Sequence, residues 1–244
     1  MQAFLIALQF LTRLPITLAQ VPSVEQNGRS ALYYPLVGLL IGGLLILAQH
    51  LLSDVPILLQ AALLLSLWVA VTGGLHLDGL ADSADAWAGG FGDRQRTLDI
   101  MQDPRSGPIA VVVLMLLLLL KFAALVALLS LASVSALVLA PLLARSALPL
   151  LFLTTPYVRK GGLGEAFSTH LPRKQLPWLL AAVVGLALIF VPGAWLAVVM
   201  AGLVFALCRH LMLKRIGGTT GDTAGALLEV LECAIVVVLA CAAN

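Results

Sequence analysis

Pro108–Leu131 reads PIAVVVLMLLLLLKFAALVALLSL, and this stretch decides the fold. About 20 apolar residues in helical form cross the roughly 30 Å hydrocarbon layer of a bilayer, and here only Lys121 interrupts them. Six more runs of this kind lie at Ala31–Leu52, Val55–Thr72, Ser133–Leu153, Leu176–Val191, Gly193–Leu213 and Ala224–Ala243, with Leu176–Val191 the shortest. Met1–Pro15 (MQAFLIALQFLTRLP) is apolar but short. It lacks a basic start and a small-residue cleavage site, so it reads as an interfacial or re-entrant helix rather than a cleaved signal.

Composition supports the same class. Of 244 residues, 61% are hydrophobic and 11% charged, against about 45–50% and about 25% in soluble domains. That excludes a soluble globular enzyme and a disordered chain. Cys208, Cys233 and Cys241 are too few for a disulfide scaffold, lack metal spacing and read as buried apolar residues. Long Leu/Val/Ala runs with few aromatics argue against a transmembrane β-barrel. The expected fold is all-α: a polytopic transmembrane helix bundle of about seven spans, forming one domain over residues 1–244.

Lys and Arg are absent from the connections near 50–55, 131–133 and 191–193 and from the C-terminus. The alternate connections hold Arg13, Arg29, Arg94, Arg96, Arg105, Arg159, Lys160, Arg173, Lys174, Arg209, Lys214 and Arg215. By the positive-inside rule these connections are expected on the cytoplasmic side of the membrane.

The chemistry gathers after the second span, in GGLHLDGLADSADAWAGGFGDRQRTLDIMQDPRSG (Gly73–Gly107), which carries six of the twelve carboxylates. Asp78, Asp82 and Asp85 have the spacing i, i+4, i+7 and share one helical face. Like charges so placed repel, unless a bound cation reverses the sign. Hard oxygen ligands on one face suit Mg²⁺, which takes one or two carboxylates plus substrate phosphates. Small neighbours such as Gly79 and Ala81 leave room for a bulky ligand at the backbone. His76 is a candidate base, donor or packing residue. Arg94, Arg96 and Arg105 lie among the acids, and guanidinium groups match phosphate oxygens bidentately. The competing reading is a solvated loop of salt-bridged acids. Asp93 reads as an N-cap, and Asp103-Pro104 should end the helix that carries Asp99.

Two other segments join this one. PYVRKGGLGEAF (Pro156–Phe167) places three glycines beside Arg159 and Lys160, either a backbone-amide phosphate loop or a glycine turn. RIGGTTGDTAGA (Arg215–Ala226) leads into the last span, with Asp222 at its start and Glu229 and Glu232 inside it. Intramembrane glutamates are costly unless they face a polar interior or a partner; the alternative is interfacial acids near headgroups. Arg145, deep in the fourth span, needs a carboxylate, a phosphate or water, and is expected to face the site. Lys121 has a flexible stem able to snorkel.

HLDGLADSADAW (His76–Trp87), IMQDPRSGPIA (Ile100–Ala110), Pro156–Phe167 and Arg215–Ala226, in this order and with FLTRLP (Phe10–Pro15) before them, resemble the cobalamin-5′-phosphate synthase family over nearly the whole chain. Ser83 stands where the family pattern leads one to expect threonine. The resemblance implies transfer of the adenosylcobinamide phosphate moiety of adenosylcobinamide-GDP to α-ribazole or its 5′-phosphate, with release of GMP, and a need for Mg²⁺. Under that reading Asp78, Asp82 and Asp85 hold the metal. Asp82, Asp85 and His76 are the catalytic candidates, and Arg94, Arg105, Arg145, Arg159, Lys160 and Asp222 contact substrate. The expected partners are the two substrates and the lipid bilayer, with no nucleic acid; a homo-oligomer or association with other membrane corrinoid enzymes fits as well. A CDP-alcohol phosphotransferase is the nearest alternative chemistry, although Asp78-Gly79 lacks that motif's earlier Asp and following Ala-Arg. An ion-coupled transporter using Arg145, Glu229 and Glu232 is the alternative from another class.

Overall fold

The structure is a computed structural model that describes residues 2–18, 20–159 and 163–243. Twelve α-helices occur among them: α1 (Gln2–Leu11), α2 (Val24–Ser30), α3 (Tyr34–Leu51), α4 (Ile57–Thr72), α5 (Leu75–Gly89), α6 (Arg94–Ile100), α7 (Pro108–Ser130), α8 (Ser135–Thr154), α9 (Leu163–Thr169), α10 (Leu176–Phe190), α11 (Ala194–Ile216) and α12 (Gly221–Ala242). No strand is present among the described residues, only one isolated bridge between Tyr157 and Thr219.

Each of the seven apolar runs is a helix. Five are long and apolar enough to cross a membrane by themselves: α7, α8, α11, α12 and the run Val24–Leu51, in which α2 and α3 join through a 3-10 turn. α4 and α5 together qualify as a sixth, but they meet at 87°. Gly73 and Gly74 make that corner with successive positive φ values of 66° and 68°, a conformation that L side chains rarely adopt. α10, with 15 residues, is about 22 Å long, short of a full crossing. α1 has 10 residues and is shorter still.

α12 is the inner helix, packed against α5, α7, α8 and α11, and α3 lies along α8. Burial separates the roles: 83% of the most apolar stretch of α8 and 72% of that of α12 lie inside the protein, against 11% for α11. The outer helices present Val199, Leu203 and Leu207 of α11 and Val111, Met115 and Leu119 of α7 outward. Soluble proteins rarely expose apolar faces of this extent, and here they read as the lipid-facing surface of a membrane protein. Trp178 and Trp195 are likewise exposed, as interfacial belt residues are. Cys233 is buried as expected, but Cys208 is only partly covered and Cys241 is exposed near the end of α12.

Without a hydrophobic force between helices in lipid, close van der Waals approach drives packing, and small residues permit it. Gly38 and Gly42 form a G-x-x-x-G face on α3. A Cβ at Gly38 would lie 2.5 Å from the Pro141 carbonyl oxygen, and one at Gly42 would lie 2.9 Å from that of Leu137. Gly38→Ala is therefore expected to cost about 2 kcal/mol, read as a drop of several degrees in the melting midpoint of detergent-solubilised protein. Gly43→Ala, whose Cβ meets nothing within 4 Å, should leave the midpoint unchanged; equal effects at both positions would count against this packing.

Candidate active site

The polar connections meet at one end of the bundle. α5 turns off α4 and crosses the start of α12 at very short range. A Cβ at Gly79 would lie 2.8 Å from the Asp222 carbonyl oxygen, and one at Gly225 would lie 3.3 Å from the His76 Cα. The space beside Gly79, expected to admit a ligand, is thus filled by the backbone of α12. The crossing brings Asp222 to the acidic face of α5.

Asp78 is exposed, and Asp82, Asp85 and Asp222 are partly covered. Burial, then the charges of Asp78 and Asp222, push the Asp82 carboxyl up to about 6. Neither Asp78 nor Asp82 forms a salt bridge among the described residues. Asp85 is occupied otherwise. It accepts from the Gly107 amide and, at 2.9 Å, from the Ala110 amide, so it caps the N-terminus of α7, which has no cap of its own. No three His, Cys, Asp or Glu groups among the described residues converge closely enough to ligate a metal by themselves.

Arg159 donates to Asp222 at 2.6 Å. It is delivered by a short strap: Val158 N–H bonds the Thr219 carbonyl at 2.9 Å and Thr219 N–H bonds that of Pro156 at 2.8 Å. Thr220 caps α12 in a reciprocal box with Thr223, and its hydroxyl donates to Met101 Sδ. Arg215 donates to Thr97 Oγ1 at 3.1 Å and to the Trp87 carbonyl at 2.8 Å, fastening α6 to the end of α5. Asp93 caps α6 as expected, accepting from the Arg96 amide. A cleft of about 650 Å³ opens between α6 and the strap, with Arg94, Gln95, Gln102 and Arg159 on its walls. A second, of about 400 Å³, runs past Asp85, Gly107 and Arg105. Arg105 binds Asp103 through two hydrogen bonds, which hold the Asp103 carboxyl down to about 2.

The remaining candidates lie elsewhere. His76 is 4% exposed, and neither ring nitrogen has a hydrogen-bond partner. Arg145 has no exposed surface and contacts Glu232, so it does not reach the open end. Lys121 does not snorkel; it bonds Glu229 at 2.8 Å and Glu232 at 2.6 Å and lies over the Trp68 ring. Lys160 lies outside the described residues. Phe91, in none of the motifs, is a non-glycine residue with φ 46° that holds an 80% exposed ring beneath the Arg96 guanidinium. The glycines either side of it were the available signal.

Acids on α5, basic walls on α6, the segment from Met101 to Ala110, the 156–159 strap and the capped start of α12 thus build one polar end. The family model described as cobalamin-5-phosphate synthase matches residues 3–240. The chain belongs to the cobalamin-5-phosphate synthase family. It is 62% identical over 240 residues to the adenosylcobinamide-GDP ribazoletransferase of Pseudomonas aeruginosa (strain UCBPP-PA14), covering 98% of each chain. It is 62% identical over 235 residues to the protein so named in Ectopseudomonas mendocina (96% and 97% covered), and 61% identical over 240 residues to that of Pseudomonas putida (strain ATCC 700007; 98% and 99% covered). No solved structure gives a significant match. For this member of the synthase family, the fold brings the described residues of the four motif segments to this end.

Asp82 titrates higher in the folded chain than its ordinary 3.8. Folding therefore favours its protonated form, and ionising it costs stability. That cost is absent below about pH 4 and complete above about pH 6. In EDTA-treated protein, Asp82→Asn should raise the melting temperature at about pH 7.5 and leave it unchanged at about pH 4. A gain of equal size at both values would contradict the electrostatic origin.

Proposed function

We propose that this protein joins adenosylcobinamide-GDP to α-ribazole, or its 5′-phosphate, and releases GMP, acting at the cytoplasmic face of the bacterial inner membrane with Mg²⁺. The observation that carries the reading is the meeting of Asp78 and Asp82 with Asp222 and Arg159, beside a cleft walled by Arg94 and Arg159. The relatives' name gives the same donor, and ribazole as the group handled. Arg94, Arg96, Arg105, Arg159 and Arg215 all belong to this end, which by the positive-inside rule is the cytoplasmic one.

The donor set fits Mg²⁺: hard carboxylate oxygens on an open face, one or two of them available and the remaining positions left to water and phosphate. Asp78 and Asp222 would hold the ion. Bound there, Mg²⁺ would neutralise charge on the diphosphate oxygens.

The chain's own groups do the rest. The ribose hydroxyl of the acceptor attacks the phosphorus that bears the cobinamide arm. A phosphodiester bond forms, the bond to the bridging diphosphate oxygen breaks, and the GMP phosphate keeps the electron pair. Asp82, beside Asp78 and Asp222, accepts the hydroxyl proton. Arg159 and Arg94 bind phosphate oxygens from the cleft wall and orient the diphosphate for in-line displacement. Asp85 keeps α7 in place under this face.

Detergent-purified protein incubated with adenosylcobinamide-GDP, α-ribazole and Mg²⁺ should release GMP, and EDTA should stop it. Asp82→Ala should lower turnover by about a thousandfold or more while the protein still accumulates in the membrane. GMP release at the wild-type rate in that variant would remove the assignment.

A further inference from the structure

Beneath the open face lies a second set of charges that the transfer chemistry does not use. Lys121 of α7 pairs with Glu229 and Glu232 of α12, Arg145 of α8 pairs with Glu232, and the Trp68 indole of α4 donates to Glu232 at 3.1 Å. All four ionic side chains are at least 96% buried. Two cations meet two anions, so the set is neutral. Stability alone does not call for it, because apolar side chains of similar volume often serve a buried site as well or better.

We propose that Lys121, Arg145, Glu229 and Glu232 are positioning residues, whose pairing locks α12 at the rotation and depth that aim Asp222 at Asp78 and Asp82. The inference rests on the reading that these three aspartates serve the transfer. Asp222, Gly225, Glu229 and Glu232 follow one another at helical spacing along one side of α12. The upper pair meets α5, and the lower pair meets Lys121 and Arg145. Most of the remaining buried surface of α12 is apolar, with Leu227, Leu228, Leu231, Ile235, Val236 and Leu239 as its large side chains. Such side chains are nearly interchangeable and discriminate weakly between registers. Moving α12 by one residue turns each side chain by about 100° and would leave two carboxylates and two cations unpaired in an apolar interior. At the upper end the close approach of Gly225 to α5 resists that slip; at depth the charged set penalises it, much as a single buried polar residue fixes coiled-coil register.

The register has a readout independent of turnover. Cys233 Sγ of α12 lies 3.8 Å from the Leu117 carbonyl oxygen of α7, so Leu117→Cys, with Cys208→Ala and Cys241→Ala, reports that contact through oxidative cross-linking in detergent-purified full chain. With the charges intact, cross-linking should be rapid. After Lys121→Met, Arg145→Met, Glu229→Leu and Glu232→Leu together, the cross-link should form about tenfold more slowly or less. On the same change, kcat should fall about a hundredfold with KM for adenosylcobinamide-GDP within about threefold. Should that quartet fail to accumulate, Lys121→Met with Glu229→Gln, which leaves Arg145 and Glu232 paired, should move both readouts the same way by about tenfold. Lys121→Arg should restore them. Unchanged cross-linking would overturn the proposal, whether or not kcat falls, and so would slower cross-linking with full turnover. If the wild type releases no GMP, the reading of the reaction fails, while the cross-link still tests the register.

Discussion

The close crossing of α5 over the start of α12 is the constraint on which the polar end depends. It exists because Gly79 and Gly225 have no side chains; a methyl group at Gly79 would meet the Asp222 backbone at 2.8 Å. The contact sets carboxylates from two distant segments side by side, and the result is self-repelling. Burial and neighbouring charges raise Asp82, and the positive end of the α12 dipole offsets this only in part. Packing elsewhere, by glycine-mediated contact in α3 and α8 and by buried charges on α12, holds together a face that would relax if left to itself. Strain of this kind concentrates where a ligand is to be met.

Much of this was legible in the sequence. All seven apolar runs are helices, because length and composition decide helix formation in lipid almost alone. The cap at Asp93 follows from local residue types, whereas the cap of the last span is Thr220, two residues before the Asp222 expected at its start. The family was legible through four motifs in order, and the described residues of each lie at the same end of the fold.

What was not legible depends on partners distant in the chain. Asp85 shares its face with Asp78 and Asp82, yet it caps a helix that begins at Pro108, and no local pattern reveals that. Lys121 and Glu229 are 108 residues apart, so the pair that removes the need to snorkel cannot be read from either span. Gly79 looked like room for a ligand because a sequence does not say which backbone occupies the space. The turn between α4 and α5 had its signal in Gly73-Gly74, but a pair of glycines does not state an angle.

Depth then sorts the acids by role. In an apolar interior an ionised carboxylate must be matched by a cation or donors, and Glu229 and Glu232 are matched by Lys121, Arg145 and Trp68. At the helix ends, where bare amides are abundant, Asp85 is taken up by Gly107 and Ala110. Only where water reaches can a carboxylate stand without a fixed partner, as Asp78 and Asp82 do among the described residues. Paired acids at depth have little left to offer a substrate, because recruiting them would mean exposing their partners. Open acids have their lone pairs free, and their mutual repulsion supplies a reason to bind a cation. The same residue type therefore serves as scaffold on one side of α12 and as reagent at its tip, and the difference is set by the dielectric around it rather than by the local sequence.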